Sequence, residues 1–300
     1  MTTESGILLI DKPEGPSSAQ VVYQVKKILG AKKVGHLGTL DPFASGLLLI
    51  GVNEGTKIAD IFLGGIKSYR GVIALGVATD TQDCTGAVLS EQPVPRIGKS
   101  ALRALEKKFT GTQQQVPPMF SALKKDGVRL YRLARQGKEV PREPRTIRID
   151  ALALKKLSDR EIEFEVTCSR GTYVRTLAAD MGKELGCGAH LKTLRRTACD
   201  HLAVEQAIDL ETLGARAAAR RPPLLSLSAA LAQLRAVSWQ SPLVARLRLG
   251  QQAVLGQIGK RVNGEEFVRI LDARGGLAAL AKWNEDIPGG RWRLSRVFHE

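Results

Sequence analysis

Cysteine is scarce in this 300-residue sequence, which holds only four, and no two of them form a Cys-x-x-Cys pair. The scarcity excludes a disulfide framework as the basis of the fold and favours reduced thiols. One grouping offers four candidate zinc ligands: Cys187, His190, Cys199 and His201. Their spacing matches no common zinc finger, and His190 lies between small and apolar residues. We therefore expect no metal site.

Long apolar runs and acidic residues are also in short supply. No run approaches the roughly 20 apolar residues that span a bilayer, and the first residues lack the basic and apolar regions of a secretory signal. We therefore expect a cytoplasmic protein without a membrane anchor. Asp and Glu total 30 against 45 Lys and Arg, a net charge of +15. This surplus indicates an anionic partner, either nucleic acid or an acidic membrane surface.

Hydrophobic residues make up 43% of the sequence, which is enough for a sizeable core. Their periodicity predicts both strands and helices. The predicted strands are residues 6–10, 47–50, 70–77, 146–157 and 161–169. The predicted helices are one capped by Ser17 or Ser18, then residues 100–109, 172–185, 205–213 and 223–234. Because strands and helices do not alternate regularly, the order favours an α+β fold over a doubly wound parallel sheet.

A change of composition near residue 236 predicts two unequal domains, residues 1–235 and 236–300. Beyond the boundary, short apolar segments alternate with turn residues such as Asn263-Gly264 and Gly275-Gly276, a pattern typical of a small β-rich module. Lys and Arg outnumber Asp and Glu on both sides, so both domains can contact the same polyanion.

Residues 35–46 read Gly-His-Leu-Gly-Thr-Leu-Asp-Pro-Phe-Ala-Ser-Gly and place one carboxylate, Asp41, among glycines. Glycine permits positive φ and close approach to a ligand, and Pro42 keeps Asp41 out of the α region. The apolar run 47–50 predicts a buried strand that anchors the segment. The pattern indicates a rigid loop that presents a single acid, although an ordinary turn explains the residue types equally well.

The whole string resembles the catalytic motif of the TruB family of tRNA pseudouridine synthases. The resemblance implies that Asp41 is the nucleophile, that His36 lies beside the bound nucleotide and that Lys12 belongs to the substrate-binding residues. It also implies the pseudouridine synthase fold, with a mixed, mainly antiparallel central sheet flanked by helices. For the C-terminal module it implies a PUA-like RNA-binding domain.

Lys-Ser-Tyr-Arg at residues 67–70 carries the same resemblance. The resemblance implies that Tyr69 stacks on the target base beside the nucleophile. A phenol there supplies a stacking surface and a group that can help to remove a proton. Taken alone, Tyr69 is equally well explained as a half-buried aromatic residue of a strand.

A second long string, Cys-Ser-Arg-Gly-Thr-Tyr-Val-Arg-Thr-Leu at residues 168–177, also matches the family. It implies that Arg175 lies against the catalytic carboxylate and that Tyr173 lines the nucleotide pocket. Because an enclosed carboxylate tends to protonate, we expect a bidentate guanidinium to keep Asp41 ionised and oriented. The simpler interpretation is a strand-to-helix turn capped by Thr172.

Two segments extend the resemblance less specifically. Thr-Asp-Thr-Gln-Asp at residues 79–83 is typical of a solvated turn, whereas the family pattern implies that Asp83 is a pocket residue near the substrate. Residues 115–135 resemble an RNA-binding insertion that we place at about residues 112–145. Basic residues interleaved with Phe120 and Tyr131 suit phosphate contact and base stacking, although a charged helix after a Pro-rich turn explains them as well.

Residues 190–197 resemble one more family segment, in which Leu194 contacts the flipped nucleotide and Arg195 and Arg196 either meet phosphates or stabilise the structure. Arg-Ile-Gly-Lys-Ser at residues 96–100 resembles the end of a phosphate-binding loop only superficially, because such a loop needs a glycine at the position of Pro93. ATP binding is therefore excluded.

The resemblance implies an isomerase, a tRNA pseudouridine synthase that converts uridine 55 in the T-loop of tRNA to pseudouridine. It implies base flipping, the T-arm as the partner, no cofactor, and a monomer. Two alternatives stay open. A non-catalytic RNA-binding or tRNA-folding module fits the charge equally well, and a synthase that acts on another T-loop-like hairpin would carry the same motifs.

Overall fold

The computed structural model describes residues 2–299, which form 17 strands and eight α-helices. In chain order the strands are β1 (Gly6–Lys12), β2 (Val34–His36), β3 (Ser45–Val52), β4 (Lys67–Leu75), β5 (Val77–Thr79), β6 (Val88–Glu91), β7 (Gly111–Gln115), β8 (Lys124–Lys125), β9 (Val128–Arg129), β10 (Arg145–Lys156), β11 (Glu161–Cys168), β12 (Ala189–Cys199), β13 (Leu202–Ala203), β14 (Ala236–Ser238), β15 (Phe267–Leu271), β16 (Leu277–Asn284) and β17 (Arg291–Val297). The α-helices are α1 (Ser18–Leu29), α2 (Ala59–Gly64), α3 (Lys99–Phe109), α4 (Leu130–Ala134), α5 (Val174–Glu184), α6 (Leu210–Ala218), α7 (Leu227–Ala230) and α8 (Ser241–Arg248). Short 3₁₀ helices cover Asn53–Ile58, Val204–Gln206 and Gln252–Ile258.

The main sheet has nine strands, seven of them in the order β1-β3-β12-β4-β11-β10-β7, with β2 paired to β3 and β13 to β12. All of its pairings are antiparallel except the short parallel contact of β12 with β3. Within residues 2–299, β12 alone joins the β1–β3 part of the sheet to the β4–β7 part. These features confirm the predicted α+β class with a mixed, mainly antiparallel sheet.

Local sequence explains the elements nearest the site. The apolar run of β1 is buried on both sheet faces, as expected for a strand covered on both sides. Helix α1 begins after Ser17, whose hydroxyl accepts from the amide of Gln20 while the Gln20 side chain binds the Ser17 amide. The helix ends where Gly30 takes the left-handed conformation with φ of 58°.

Two helix predictions are wrong in position or length. Residues 205–213 contain the start of α6 only, because Asp209 caps that helix through Thr212 and the preceding residue, Ile208, bridges to Ile10 of β1. Residues 223–234 contain only the four-residue helix α7, since Leu225 is held in an antiparallel bridge with Ile7. In both places pairing with β1 overrides the local helical pattern.

The C-terminal sheet has the order β14-β15-β16-β17 and encloses its own apolar cluster. A second cluster spans both sheets, because Leu280 and the fully buried Phe298 pack with Ile58 and Phe62 of the segment before β4. Lys57 adds a hydrogen bond of 3.0 Å to the carbonyl oxygen of Val297. The C-terminal sheet is therefore packed against the main body through a continuous apolar core. Across residues 2–299, none of the helices combines the length and apolar character that a membrane crossing needs.

Candidate active site

Asp41 lies in the loop between β2, which ends at His36, and β3, which begins at Ser45. The exit of this loop is tightly packed. Gly46 has φ of 101°, and a Cβ atom there would lie 2.3 Å from the carbonyl oxygen of Arg196 in β12. Only glycine fits this position without a backbone shift. The loop therefore presents Asp41 from a backbone that β12 holds in place.

Arg175, near the start of α5, lies directly beside Asp41. Its Nε is 2.9 Å from Oδ2 of Asp41, while its terminal nitrogens donate to the carbonyl oxygens of Thr81 at 2.9 Å and Phe120 at 2.8 Å. One terminal nitrogen is also 3.6 Å from Oδ2 of Asp83. The expectation of a bidentate pair with Asp41 is wrong, because the terminal nitrogens are occupied by backbone carbonyls. The buried guanidinium instead ties two other segments, residues 81–83 and the segment of Phe120, to the acid.

The electrostatic setting of Asp41 combines partial burial with one close cation. Its side chain is 38% exposed, so the carboxylate faces an open side while Arg175 lies against it. Burial raises the pKa of Asp41 above its usual value, the Arg175 guanidinium opposes this rise, and the neighbouring Asp83 adds to it. A partly desolvated carboxylate that is oriented by a guanidinium is a stronger base and nucleophile than a hydrated one.

Asp83 is buried, with 4% of the residue exposed. Its Oδ1 accepts hydrogen bonds from the hydroxyl of Thr81 at 2.7 Å and from the amide and hydroxyl of Thr85 at 2.9 and 2.6 Å. The interpretation of this segment as a solvated turn is therefore wrong, because the two threonines enclose the carboxylate and satisfy it. Its other oxygen faces Arg175.

Tyr69 lies in β4, where its backbone neighbours are Val166 of β11 and Arg196 of β12. The residue is half-buried and packs against the main core. Burial raises the pKa of Tyr69 to about 12, against the opposing effect of the Arg196 guanidinium. The side chain is thus a neutral phenol at pH 7, with an aromatic surface that a base can stack on.

Lys12 contacts the Asp41 loop, and His36 is the last residue of β2 before it. Lys12 has no exposed surface, and its Nζ donates to the carbonyl oxygens of Pro13 at 2.7 Å and Pro42 at 3.2 Å. Burial lowers the pKa of Lys12 to about 8, while Glu14 and Asp41 oppose this change. The Nδ1 atom of His36 is buried without a partner among residues 2–299. Burial lowers the pKa of His36, and nearby Arg196 contributes.

Tyr173 and Leu194 lie on elements that flank the site. The backbone of Tyr173 is held by the Gln115 side chain, which accepts from its amide at 2.8 Å and donates to its carbonyl oxygen at 3.1 Å. Leu194 is buried in β12. Direct polar contacts thus connect Asp41, Arg175 and Asp83. The positions of Tyr173 and Leu194 depend instead on the contact with Gln115 and on strand β12, respectively.

The sequence did not predict Gln115 and Lys67 as supports of the site, whereas for Arg196 the structure shows the second of the two predicted roles, stabilisation of the structure. Gln115 holds Tyr173, and Arg196 binds the backbone of the Asp41 loop. Lys67 is buried and donates to three carbonyl oxygens at the end of α2, two residues before Tyr69. The only signal in the sequence is that Lys67 and Arg196 stand within the matched strings, since their partners are backbone atoms that no pattern reveals.

The predicted RNA-binding insertion leaves the main sheet at the end of β7 and returns at β10. Its buried residues Met119 and Leu130 anchor it, and Arg175 binds the carbonyl oxygen of Phe120 at its base. Six of its basic side chains are solvent-exposed: Lys124, Lys125, Arg129, Arg132, Arg135 and Lys138. The insertion therefore extends a cationic surface from the position of Asp41 outward.

The four candidate zinc ligands have other surroundings. Sγ of Cys187 lies 3.4 Å from the carbonyl oxygen of Gly188, and Nδ1 of His190 is 3.0 Å from that of Val77. Across the described part of the chain, no three His, Cys, Asp or Glu side chains converge in a way that suits a metal ion.

The sequence of this chain matches known protein families and relatives. Residues 26–174 match the model of the TruB family pseudouridylate synthase N-terminal domain, and residues 175–235 match the tRNA pseudouridylate synthase B C-terminal domain. The chain is 50% identical to tRNA pseudouridine synthase B of Geotalea uraniireducens, over 98% of this chain and 97% of that protein. It is 43% identical to the protein of the same name from Burkholderia mallei, over 94% of each chain.

Solved structures show the same fold. The chain is similar to a chain of a Cbf5-Nop10-Gar1 complex, with a TM-score of 0.75 and 26% identity over 98% of this chain and 85% of that one. A chain of an H/ACA ribonucleoprotein bound to a substrate RNA containing 2′-deoxyuridine has a TM-score of 0.72 at 23% identity, over 98% of this chain and 85% of that one.

Proposed function

The chain belongs to the TruB family of pseudouridylate synthases, and from this premise we propose that it isomerises uridine 55 in the T-loop of tRNA to pseudouridine. The observation that carries the proposal is the contact of Asp41 with the buried Arg175. This contact orients a single carboxylate at the open side of the site, next to an exposed cationic surface, and so supports a catalytic role for Asp41. A protein that only binds RNA has no need of such a group.

The reaction breaks the N1–C1′ bond, rotates the uracil and forms a C5–C1′ bond. N1 gains a proton and C5 loses one, so no atom is added or removed overall. The reacting carbons are shielded while the base is stacked, so the base must leave the stack. Asp41 is the proposed catalytic residue, and attack at C6, attack at C1′ and removal of a 2′ proton all use the same ionised carboxylate.

Other residues have supporting roles in this proposal. Tyr69 stacks on the uracil, and because its phenol stays protonated at neutral pH it offers a face rather than a charge. His36, Tyr173 and Leu194 shape the pocket for the flipped nucleotide. Arg175 holds the Asp41 carboxylate.

Asp83 and Lys12 act through the residues beside them. Asp83 acts on the substrate region through Arg175, because its own carboxylate is enclosed by threonines. Lys12 contributes positive charge and holds Pro42, since its ammonium group is bound to carbonyl oxygens and not exposed.

RNA contact is proposed to spread over two surfaces. The insertion offers exposed Lys and Arg side chains that suit the phosphates of the T-arm. The second surface is the C-terminal sheet, residues 236–299, which we propose as a PUA-like RNA-binding module next to a catalytic domain of residues 1–235. Packing of the two through a shared apolar cluster supports RNA binding by both at once.

The test is release of tritium from tRNA transcribed with 5-tritiated uridine, followed by mapping of the product position. The native protein should release one tritium per tRNA, with product at position 55. Asp41→Asn should release none while RNA affinity stays within about tenfold, or about 1.4 kcal/mol. Asp159→Asn, whose side chain is 96% exposed, is the matched control and should behave as the native protein.

Three outcomes would contradict the proposal. Full turnover by Asp41→Asn would remove the catalytic role of the carboxylate. Product at a different RNA hairpin with position 55 unmodified would assign another substrate. If tritium is not released by the native protein but tRNA refolding is accelerated, the chain is an RNA-folding module without catalysis.

A further inference from the structure

Arg196 is a buried cation without an anionic partner. Only 2% of the residue is exposed, and no salt bridge connects it to an acid within residues 2–299. Isolated buried charge is costly unless its donors are satisfied. A guanidinium at such a position therefore indicates a specific requirement for the contacts that it makes.

Those contacts are with the two ends of the Asp41 loop. The Nε of Arg196 donates to the carbonyl oxygen of Leu47 at 2.7 Å, after the loop. Its terminal nitrogens donate to the carbonyl oxygens of Gly38 at 3.1 Å and Thr39 at 3.4 Å, in the first part of the loop before Asp41. One side chain thus closes the base of the loop on both sides, with Asp41 between the bound residues.

The backbone of Arg196 occupies an equally central position. It is the parallel partner of Gly46 in β3 and the antiparallel partner of Tyr69 in β4. Because β12 alone joins these strands in the described chain, Arg196 stands between Gly46, at the exit of the Asp41 loop, and Tyr69. Its guanidinium also lies close enough to Tyr69 and His36 to act on the charge state of each.

We propose that Arg196 is the positioning residue of this site, which binds both ends of the Asp41 loop to the strand beside Tyr69 and so fixes the carboxylate relative to the aromatic ring. The inference rests on the proposed function, because the distance matters only if both groups act on one nucleotide. Its removal should slow the chemical step without weakening RNA binding. A displacement of about 1 Å at a reacting group can cost about 100-fold in rate.

The test compares Arg196→Lys and Arg196→Gln with the native protein in single-turnover tritium release at saturating enzyme. Lysine keeps the charge and glutamine keeps an amide donor, but neither has the forked donors with which arginine reaches Leu47 on one side and Gly38 and Thr39 on the other. We expect the rate constant to fall about 100-fold in both variants and the Kd for a T-arm hairpin to change less than about threefold. Lys192→Met, which removes an exposed cation from the same strand, is the control and should keep the native rate.

A second readout separates positioning from a general effect on folding. The sequence contains four tyrosines, so incorporation of 3-fluorotyrosine gives few ¹⁹F resonances, and Tyr69→Phe assigns the one of interest. In folded Arg196→Lys protein that resonance should shift or broaden, while the resonance of the exposed Tyr23 stays in place.

Each outcome decides the matter. A native rate in folded Arg196→Lys overturns the proposal, as does a slow rate with an unchanged Tyr69 resonance. If both Arg196 variants fail to fold, Arg196 is a residue of the core and the proposal is equally overturned. Failure of the proposed function would look different, since the native protein itself would then release no tritium.

Discussion

Removing Arg175 should destabilise the fold, and the structure gives the size of the effect. In Arg175→Met the buried carboxylate of Asp83 loses its cation, and loss of one partner from a buried pair costs about 3–5 kcal/mol. The carbonyl oxygens of Thr81 and Phe120 also lose their donor, at about 1 kcal/mol each if water does not replace it. Asp41 adds little because its side chain is 38% exposed. We expect a loss of about 3–7 kcal/mol, with the lower end if water replaces the lost donors.

Urea unfolding followed by far-ultraviolet circular dichroism is the suitable assay. All three tryptophans lie beyond residue 236, so their fluorescence reports the C-terminal sheet and not the site. Arg160→Met, at an exposed turn, is the matched control and should change the free energy of unfolding by less than about 0.5 kcal/mol.

The double variant Arg175→Met/Asp83→Asn tests the assumed cause. If the unpaired Asp83 carboxylate is the main penalty, the second substitution should restore about 1–3 kcal/mol of the loss. A loss below about 1 kcal/mol in Arg175→Met, or no recovery in the double variant, would refute the reasoning. The first result would mean that water replaces the guanidinium, and the second that the backbone contacts dominate.

Three further predictions concern the residues around the site. Burial raises the folded-state pKa of Asp41 above 3.8, so the folded protein retains a proton that the unfolded chain releases. The contribution of Asp41 to stability is therefore full below pH 3.8 and is lost as the pH rises through the raised pKa. Urea unfolding from pH 4 to 8 should show Asp41→Asn gaining stability relative to the native protein over that window, and a constant difference would contradict this. Lys67→Met should lower the free energy of unfolding by about 2–4 kcal/mol, because three carbonyl oxygens lose their donor. A free energy of unfolding within about 1 kcal/mol of the native value would show that water replaces the ammonium group. Phe298→Ala should lower the free energy of unfolding by about 3–5 kcal/mol, because the ring is fully buried between the two sheets. Limited proteolysis should then cleave the C-terminal sheet first. Native resistance to the protease would contradict the proposed role of Phe298 in packing the two sheets together.

The elements that the sequence predicts well are those whose signal is local. The strand at residues 6–10 follows from an apolar run, and the next helix from a capping serine, Ser17 or Ser18, before an apolar helical face, so neither needs information from elsewhere in the chain. The segments around Ile208 and Leu225 have helical composition but pair with β1, about 200 residues earlier. Such pairing is a tertiary effect that residue periodicity does not contain.

The site likewise has features that the sequence predicts and features that depend on distant parts of the chain. Asp41, Tyr69 and Arg175 stand in long strings whose resemblance to one family singles them out. The number of nitrogens that Arg175 directs at Asp41 was not predictable, because it depends on two carbonyl oxygens of distant loops. The enclosure of Asp83 by its neighbouring threonines was equally hidden, since the same residues suit a solvated turn.

The position of β12 has a consequence for how this protein matures on the ribosome. Until Ala189–Cys199 has been synthesised, the hairpin-like pair β1–β3 and the group β4-β11-β10-β7 share no strand in the described chain. A nascent chain that ends before this point therefore lacks the one strand of the described chain that pairs with both parts of the main sheet. Contacts of such long sequence separation form slowly, so we expect insertion of β12 to come late in folding and activity to depend on it.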